Sequence, residues 1–316
     1  MSEEIVREET EKGTQLKAKR SPMGPLVRRA LPLAAVLAVL ISTSLAVSLG
    51  SAQEQSKTQL DQSPAGQEEL SAVGADEESG EPGPERPAYQ ELYPELYAQP
   101  HELNSVEKSK VCYLTFDDGP SARTPEVLDI LKRYGVKATF FVVGKDTEQS
   151  RQWMRDIVEA GHTIGIHSFT HSYRTIYDSV EAFLDDFAQE YHLIEEATGV
   201  APQIFRFPGG SINAYNGHIY QEIVGEMVRR GFVYFDWNRS NGDAVSKPPA
   251  AATLAKNALN RLGSSSRVIL LMHDSKGHAS TVASLPAVIE GYLNAGYSLE
   301  ALTPEVRPII YAYPNP

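Results

Sequence analysis

Two short motifs carry the side chains whose types and spacing could do chemistry. Residues 111–120 read VCYLTFDDGP, an apolar run that ends in Asp117 and Asp118 before a Gly-Pro turn. This pattern predicts a buried strand that stops at a tight turn and holds two carboxylates at its mouth. Adjacent acids there are unfavourable unless a cation or a proton-transfer role occupies them. Taken alone, the motif also fits an Asp-Asp-Gly surface turn.

The second motif, HSFTH, places His167 and His171 four residues apart, directly after the run HTIGI. That spacing puts both imidazoles on one face, and two imidazoles with one carboxylate are a common ligand set for catalytic zinc. For this spacing alone, two exposed or core-satisfied histidines are the simpler explanation. The residue after His167 is Ser168, so a general base must come from elsewhere. Asp117 and Asp118 together can supply one metal ligand and one base.

Further polar residues follow other apolar runs. Arg206 begins RFPGG, where an arginine could orient a catalytic carboxylate and keep it ionised. His273 ends the run VILLMH and could protonate a leaving amine near neutral pH. Leu271, two residues earlier, points to the same face of an extended chain and could form an apolar floor. An ordinary turn or a solvent-facing side chain is the simpler explanation for each residue viewed alone.

One more run, YFDW, ends at Trp237, and Asp243 follows shortly after. An aromatic face could stack on a sugar, and a carboxylate could raise the pKa of a partner histidine. Barrel packing and a turn are the alternatives. No second element supports a role for the remaining histidines, which are His101, His162, His192, His218 and His278.

The elements that must position these residues alternate along the chain from residue 111. Short apolar runs lie at 111–116, 138–143, 163–166, 203–207, 232–236, 267–272 and 297–299. Amphipathic helical stretches lie between them at 124–134, 149–160, 179–198, 216–230, 250–262 and 281–295, and a glycine follows each. This alternation predicts parallel β/α units, and about seven strands fit a distorted α/β barrel with its chemistry at the carboxyl ends of the strands.

The first 110 residues have a different character. Residues 1–30 end in clustered positive charges, and residues 31–49 contain none, with nineteen helical residues spanning about 28 Å against a hydrocarbon core of about 30 Å. We expect a cytoplasmic basic tail and a transmembrane anchor, or alternatively a cleaved signal segment. Residues 50–110 hold thirteen acidic and four basic side chains and few large apolar ones, which predicts a disordered linker.

Composition excludes some classes of function. Most of the net charge of −12 lies in residues 50–110, and nothing in the rest of the chain suggests the basic face that a nucleic-acid surface would need. The single cysteine, Cys112, rules out an intrachain disulfide and a cysteine-based metal cluster. No protein partner is implied.

Together, TFDDGP, HSFTH, RFPGG with Asn213, the Trp237–Asp243 stretch and LMH resemble, in this order, the polysaccharide deacetylases of carbohydrate esterase family four. The resemblance covers about residues 110–300 and implies a distorted β/α barrel with a divalent metal. Zinc is expected, with cobalt and manganese as alternatives. By motif, Asp117 is the base and Asp118, His167 and His171 bind the metal.

The same resemblance implies roles for the other motifs. Arg206 would hold Asp117, and His273 would be the general acid, tuned by Asp243. Leu271 and Trp237 would line the pocket for the acetyl methyl group, and Pro208 and Gly209 would also contact the substrate. Two departures affect substrate fit. The family usually has an aromatic residue after Pro208, where this chain has Gly209, and Ala244 stands where a tryptophan is usual. The Gly209 N–H can still serve as an oxyanion donor, but a sugar-facing side chain is lost.

These observations predict metal-dependent hydrolysis of N-acetyl groups on N-acetylglucosamine residues of a cell-wall polysaccharide, with peptidoglycan the expected polymer and acetate released. Alternatives are an O-acetyl esterase of the xylan type, a chitooligosaccharide deacetylase, and an inactive surface protein that binds glycan. We expect a single-pass protein of the cell membrane with an extracellular catalytic domain at 111–316, or a secreted protein if the N-terminal segment is cleaved.

Overall fold

The computed structural model of the chain describes residues 85–104 and 110–311. They lie within one unit, Glu77–Pro316. The predicted basic tail, the predicted membrane segment at 31–49 and most of the predicted linker lie outside the described residues. Across the part that is described, no helix is both long enough and apolar enough to cross a membrane.

Parallel strands form a single sheet. Its members are β1 (Val111–Asp117), β2 (Thr139–Val143), β3 (Thr163–Ser168), β4 (Ile204–Phe205), β5 (Val233–Tyr234), β6 (Arg239–Ser240), β7 (Arg267–His273) and β8 (Ser298–Glu300). They pair in the order β5-β4-β3-β2-β1-β7-β6. Strand β8 pairs with the first half of β1, on the edge that β2 uses further along. The predicted parallel α/β architecture is therefore confirmed, with one strand more than the seven expected.

Helices alternate with these strands. They are α1 (Thr124–Tyr134), α2 (Glu148–Glu159), α3 (Tyr173–Ile176), α4 (Val180–Thr198), α5 (Tyr220–Arg229), α6 (Ala251–Ala258) and α7 (Ala279–Asn294). Side-chain oxygens of Thr147 and Ser179 cap the first turns of α2 and α4 by accepting from backbone N–H groups. Gly135 and Gly199 end α1 and α4 in the left-handed conformation that glycine adopts readily. Helix α5 begins four residues later than predicted, because Asn213 and Asn216 form a hydrogen-bonded turn there.

Side chains alternate across the sheet. On β1, Cys112, Leu114 and Phe116 belong to the large apolar cluster that includes helix residues. Val111 and Tyr113 face a smaller inner cluster, whose other members are Phe141, Ile204, Phe235, Ile269, Leu302 and Val306. Since successive residues of a strand point to opposite faces, Thr115 and Asp117 continue the inner series toward the carboxyl end.

Contacts of Arg206 show that the sheet is strongly curved. Arg206 follows β4, which is separated from β1 by β3 and β2. Three strand spacings in a flat sheet amount to about 14 Å. Yet the Arg206 Nη1 atom lies 2.7 Å from the Thr115 Oγ1 atom on β1. The sheet therefore wraps around its inner face, as expected of a distorted barrel.

The segment before β1 packs on this unit. Residues 88–91 form a short 3-10 helix, and Leu96 is fully buried. The guanidinium of Arg230, also buried, donates to the carbonyl oxygens of Leu92 and Tyr93 at 2.6 and 2.7 Å. The sequence predicts that the aromatic end of the linker, Tyr89–Tyr97, can pack on the edge of the domain, and in the structure the buried Arg230 holds this stretch there.

Candidate active site

The polar residues that the sequence singled out lie at the carboxyl ends of neighbouring strands. Asp117 is the last residue of β1 and pairs in register with His273, the last residue of β7. His167 is the penultimate residue of β3, and Arg206 directly follows β4. Carboxyl ends of parallel strands meet at one edge of the sheet. The curvature of the sheet brings these side chains together around one cavity.

Three side chains converge as a potential metal-binding group. The Asp118 Oδ1 atom lies 3.5 Å from the His167 Nε2 atom and 3.3 Å from the His171 Nε2 atom. His167 Nδ1 lies 2.8 Å from the carbonyl oxygen of Arg206, to which it can donate a proton. Burial lowers the pKa of His167 to about 3, so this imidazole is neutral. Donation through Nδ1 leaves the Nε2 lone pair directed toward Asp118.

Asp118 supplies a test of whether a cation fits here. Its Oδ1 atom is buried and has no hydrogen-bond partner among the described residues. A buried carboxylate oxygen without a partner costs free energy unless a cation or a proton neutralises it. One such oxygen together with two imidazole nitrogens is a donor set that suits a divalent transition metal. The residues present therefore fit a metal ion.

Backbone conformation in the two motifs is unusual. Asp118 and His171 have φ values of 69° and 52°, in the left-handed region that non-glycine residues seldom adopt. The loop before His171 is held by Asp186, on α4, which accepts from the Ser168 hydroxyl at 2.6 Å and from the Phe169 and Thr170 N–H groups at 2.8 Å. In turn, the Ser168 hydroxyl oxygen accepts from the His171 N–H at 2.8 Å. Asp186 thereby fixes the histidine loop.

No role for Asp186 was predicted from the sequence. Its carboxylate is buried, and it lies in the interior of an amphipathic helix, where a buried acid requires partners. That position on the apolar face of α4 is the one signal that could have identified it.

Arg206 is fully buried and contacts the predicted base. Its Nη1 atom donates to the Asp117 Oδ1 atom at 2.9 Å, and its Nε donates to the carbonyl oxygen of Phe235 at 2.8 Å. The guanidinium also lies over the Phe141 ring at 4.4 Å. Burial raises the pKa of Asp117 above its ordinary value, although Arg206 and His273 act in the opposite direction. Asp117 is thus a buried carboxylate in fixed orientation whose basicity is enhanced.

His273 and Asp243 form a second buried pair. The His273 Nδ1 atom lies 2.7 Å from the Asp243 Oδ1 atom. The Asp243 Oδ2 atom accepts from the His273 N–H at 2.9 Å and from the Thr281 hydroxyl at 2.7 Å. Burial by itself would lower the pKa of His273, but the Asp243 carboxylate, together with Asp117 and Asp118, outweighs it and raises that pKa to about 9. His273 is therefore a protonated imidazole at neutral pH, able to act as an acid.

A cavity of about 420 Å³ joins these groups. The predicted site residues that line it are Asp117, Asp118, His167, His171, Gly209, Trp237, Leu271 and His273. Arg206 and Asp243 lie fully buried behind the lining. Pro208 does not line the cavity; its carbonyl oxygen accepts instead from the hydroxyl of Tyr177 and the amide of Asn213.

Other lining residues were not expected from the sequence. Tyr173, Val245, Ser246 and His278 also face the cavity. His278, to which the sequence assigned no role, stacks on His273 with ring centroids 5.3 Å apart. No local pattern marks it, because the contact depends on how the chain after β7 folds back over the site.

Comparison with known proteins identifies chains that are similar to this one. Residues 104–228 match the family model described as polysaccharide deacetylase. The chain is 35% identical over 206 residues to a peptidoglycan-N-acetylglucosamine deacetylase of Bacillus cereus, covering 64% of this chain and 72% of that protein. It is 32% identical over 197 residues to the peptidoglycan-N-acetylglucosamine deacetylase PgdA of Listeria monocytogenes, covering 62% of this chain and 39% of that protein.

A solved structure supports the same relationship. The catalytic domain of peptidoglycan N-acetylglucosamine deacetylase from Eubacterium rectale superposes with a TM-score of 0.63 at 35% sequence identity. The match covers 69% of this chain and 99% of that domain. The similarity therefore extends over essentially the whole catalytic domain of the solved protein.

Proposed function

Because the chain belongs to the polysaccharide deacetylase family, we propose that it is a metal-dependent hydrolase that removes N-acetyl groups from N-acetylglucosamine residues of peptidoglycan. The observation that carries the proposal is the convergence of Asp118, His167 and His171 beside the Asp117 and His273 side chains. The names of the relatives from Bacillus cereus and Listeria monocytogenes support peptidoglycan as the polymer.

We assign zinc to the group formed by Asp118, His167 and His171, since two imidazoles and one carboxylate are a common zinc ligand set. Bound there, the cation would supply Lewis acidity, which polarises the acetyl carbonyl and lowers the pKa of water. The unpartnered Asp118 Oδ1 atom and the neutral His167 ring support this assignment.

The protein side chains supply the proton transfers. Asp117, held by Arg206, takes a proton from the attacking water. His273, protonated because of Asp243, gives a proton to the departing amine nitrogen. Gly209 lines the same cavity, and its N–H has no hydrogen-bond partner among the described residues, so we assign it to the oxyanion of the tetrahedral species. Preorganised donors of this kind typically contribute about 10²–10³ in rate.

We further propose that residues 31–49 anchor the protein in the cell membrane, with the catalytic unit on the outer side. The uncharged run and the positive charges that precede it support this orientation. An anchored enzyme with an acidic, extended linker could reach a surrounding wall polymer.

The test is acetate release from purified peptidoglycan, followed by mass spectrometry of muramidase fragments. We expect loss of one acetyl group per converted sugar, abolition by chelator and recovery with zinc. Asp117→Asn should abolish release, whereas Asp129→Asn, an exposed acid on α1, should leave it intact.

Other substrates separate the remaining possibilities. Acetate from acetylated xylan but from no N-acetyl glycan would identify an O-acetyl esterase. A zinc-loaded protein that releases acetate from none of these polymers would contradict the proposed hydrolysis.

A further inference from the structure

Tyr173 occupies the space beside Gly209 in which a side chain would otherwise stand. Gly209 has φ 78°, and a Cβ atom built on it would lie 2.7 Å from the Tyr173 Cε1 atom and 3.1 Å from its hydroxyl oxygen. Real Cβ atoms do not approach ring carbons so closely. The Tyr173 ring can therefore take this position only because residue 209 has no side chain.

The Tyr173 ring is built into the cavity wall. It lies at the start of α3, two residues after His171, and meets the His171 imidazole edge-on with centroids 5.4 Å apart. It is half-buried and lines the same cavity as Asp117 and His273. The ring of Tyr177 supports it from behind at 6.2 Å. An aromatic face thus stands directly next to the reacting groups.

Tyr215 continues this face outward from the cavity. Its ring centroid lies 5.2 Å from that of Tyr173, and 45% of the residue is exposed. The Tyr215 N–H donates to the Asn213 side-chain oxygen at 2.8 Å, and Asn213 itself donates to the Pro208 carbonyl oxygen. The exposed tyrosine is therefore held by the loop that carries Gly209.

We propose that Tyr173 and Tyr215 form an aromatic shelf that binds the sugar ring next to the one being deacetylated. The inference rests on the proposed function and names a subsite of that same cleft. Its occupant is a hexopyranose of a β-linked glycan, whose CH face packs on tyrosine rings while its hydroxyls stay in water. Tyrosine supplies rigid amphipathic contact area at little cost in conformational entropy.

The shelf supplies an aromatic contact for the sugar in place of the side chain that Gly209 lacks. From the sequence, a sugar-facing group appeared to be lost at this position. In the structure, Tyr173 provides an aromatic group from a different element, the loop after the histidine motif. Because Tyr215 extends it, the contact reaches beyond the ring whose acetyl group occupies the cavity.

The experiment measures binding and turnover with N-acetylglucosamine oligomers of two and four units. Binding is measured by calorimetry on zinc-loaded Asp117→Asn, so that turnover does not interfere. We expect Tyr215→Ala to weaken tetramer binding about tenfold, which corresponds to about 1.4 kcal/mol for a lost aromatic contact. A dimer that fills the cavity and the neighbouring site makes the same contact with Tyr215, so its affinity should fall by a similar factor.

Kinetics on the otherwise wild-type background provide the second readout. We expect Tyr215→Ala and Tyr173→Ala to raise KM for the tetramer by about the same factor, with a smaller change in kcat for Tyr215→Ala. Tyr215→Phe should restore tetramer affinity because it keeps the ring. The matched control is Tyr134→Ala, which removes a half-exposed tyrosine at the far end of α1. Zinc content of each variant shows whether the His171 loop is intact.

The outcomes separate the shelf from the proposed function. Unchanged tetramer affinity and KM in Tyr215→Ala and in a zinc-loaded Tyr173→Ala would overturn the shelf while leaving deacetylation in place. Oligomer binding that depends on Tyr215 in a protein that releases no acetate would support the shelf and refute the proposed function.

Discussion

Replacing Asp243 with asparagine should move the basic limb of the pH–activity profile. His273 has an ordinary pKa of 6.5, and burial alone would lower it. The Asp243 carboxylate, 2.7 Å from His273 Nδ1, is the principal group that raises that pKa to about 9, with smaller contributions from Asp117 and Asp118. Because the proposed mechanism uses protonated His273 as the acid, the wild-type kcat/KM should fall only as pH rises through about 9.

The magnitude follows from the two pKa values. At pH 8, a group of pKa about 9 is roughly nine-tenths protonated, whereas one of pKa 6.5 is about 3% protonated. Asp243→Asn should therefore lower kcat/KM at pH 8 by about 30-fold or more, and by much less at pH 6. Asp117 and Asp118 also raise the pKa of His273, and they are present in both proteins, so the comparison isolates Asp243.

Hydrogen bonding makes asparagine a suitable probe. Its oxygen can still accept from the His273 N–H and from the Thr281 hydroxyl, which the Asp243 Oδ2 atom does in the wild type. The amide NH₂ would then face His273 Nδ1 and favour a neutral ring that carries its proton on Nε2. The side chain stays in place while the charge that stabilises the imidazolium is removed.

Stability gives an independent measurement of the same interaction. The folded-state pKa of His273 is raised above the unfolded value, so its contribution is fully present below about pH 6.5 and is lost as pH rises through about 9. The shift corresponds to about 3 kcal/mol. Urea unfolding between pH 6 and pH 9.5 should show this loss in the wild type and little of it in Asp243→Asn. A basic limb that stays near pH 9 in the variant would refute the assignment of the acid to His273.

Three further changes should have distinct effects. Asp186→Ala should weaken zinc affinity by about 10- to 100-fold in competition with a chelator, because the loop before His171 loses its anchor; unchanged affinity would contradict that role. Glu190→Met should raise the free energy of unfolding more at pH 8 than at pH 4, since Glu190 is buried, neither oxygen has a partner among the described residues, and burial raises its pKa. Gly209→Ala should lower kcat/KM at least about tenfold with zinc content retained, because a methyl group overlaps Tyr173 and alanine disfavours positive φ; wild-type kinetics would count against that packing.

Local patterns in the sequence predicted most of the strands and the principal side chains at their ends. A continuous buried strand such as β1 has a strong apolar signal, and the acids that end it stand out for that reason. Strand β6, with only the polar pair Arg239-Ser240, has no such signal. It forms because its backbone pairs with β7, which is a consequence of tertiary structure.

Residues that act through distant contacts were harder to predict. Asp186 lies fifteen residues beyond His171 in sequence, yet it binds the loop before that histidine. The Tyr173 ring fits where it does because Gly209, on a different loop, has no side chain. The segment around Leu96 folds because Arg230, more than a hundred residues later, binds its carbonyl groups. Sequence periodicity carries information about residues that are close along the chain. The long-range contacts of Asp186, Tyr173 and Arg230 depend on the tertiary structure, so periodicity cannot predict them.

Backbone strain in the two ligand motifs indicates how the metal site is prepared. Asp118 and His171 both hold left-handed φ values, which for non-glycine residues cost about 1–3 kcal/mol each. Such conformations persist when the surroundings over-determine them. Here the anchors are strand pairing up to Asp117 and the Asp186 and Ser168 hydrogen bonds before His171. Because these anchors are protein groups, folding of the chain already aligns the ligand side chains. Cation binding then does not have to order the loop, which increases the affinity for the cation.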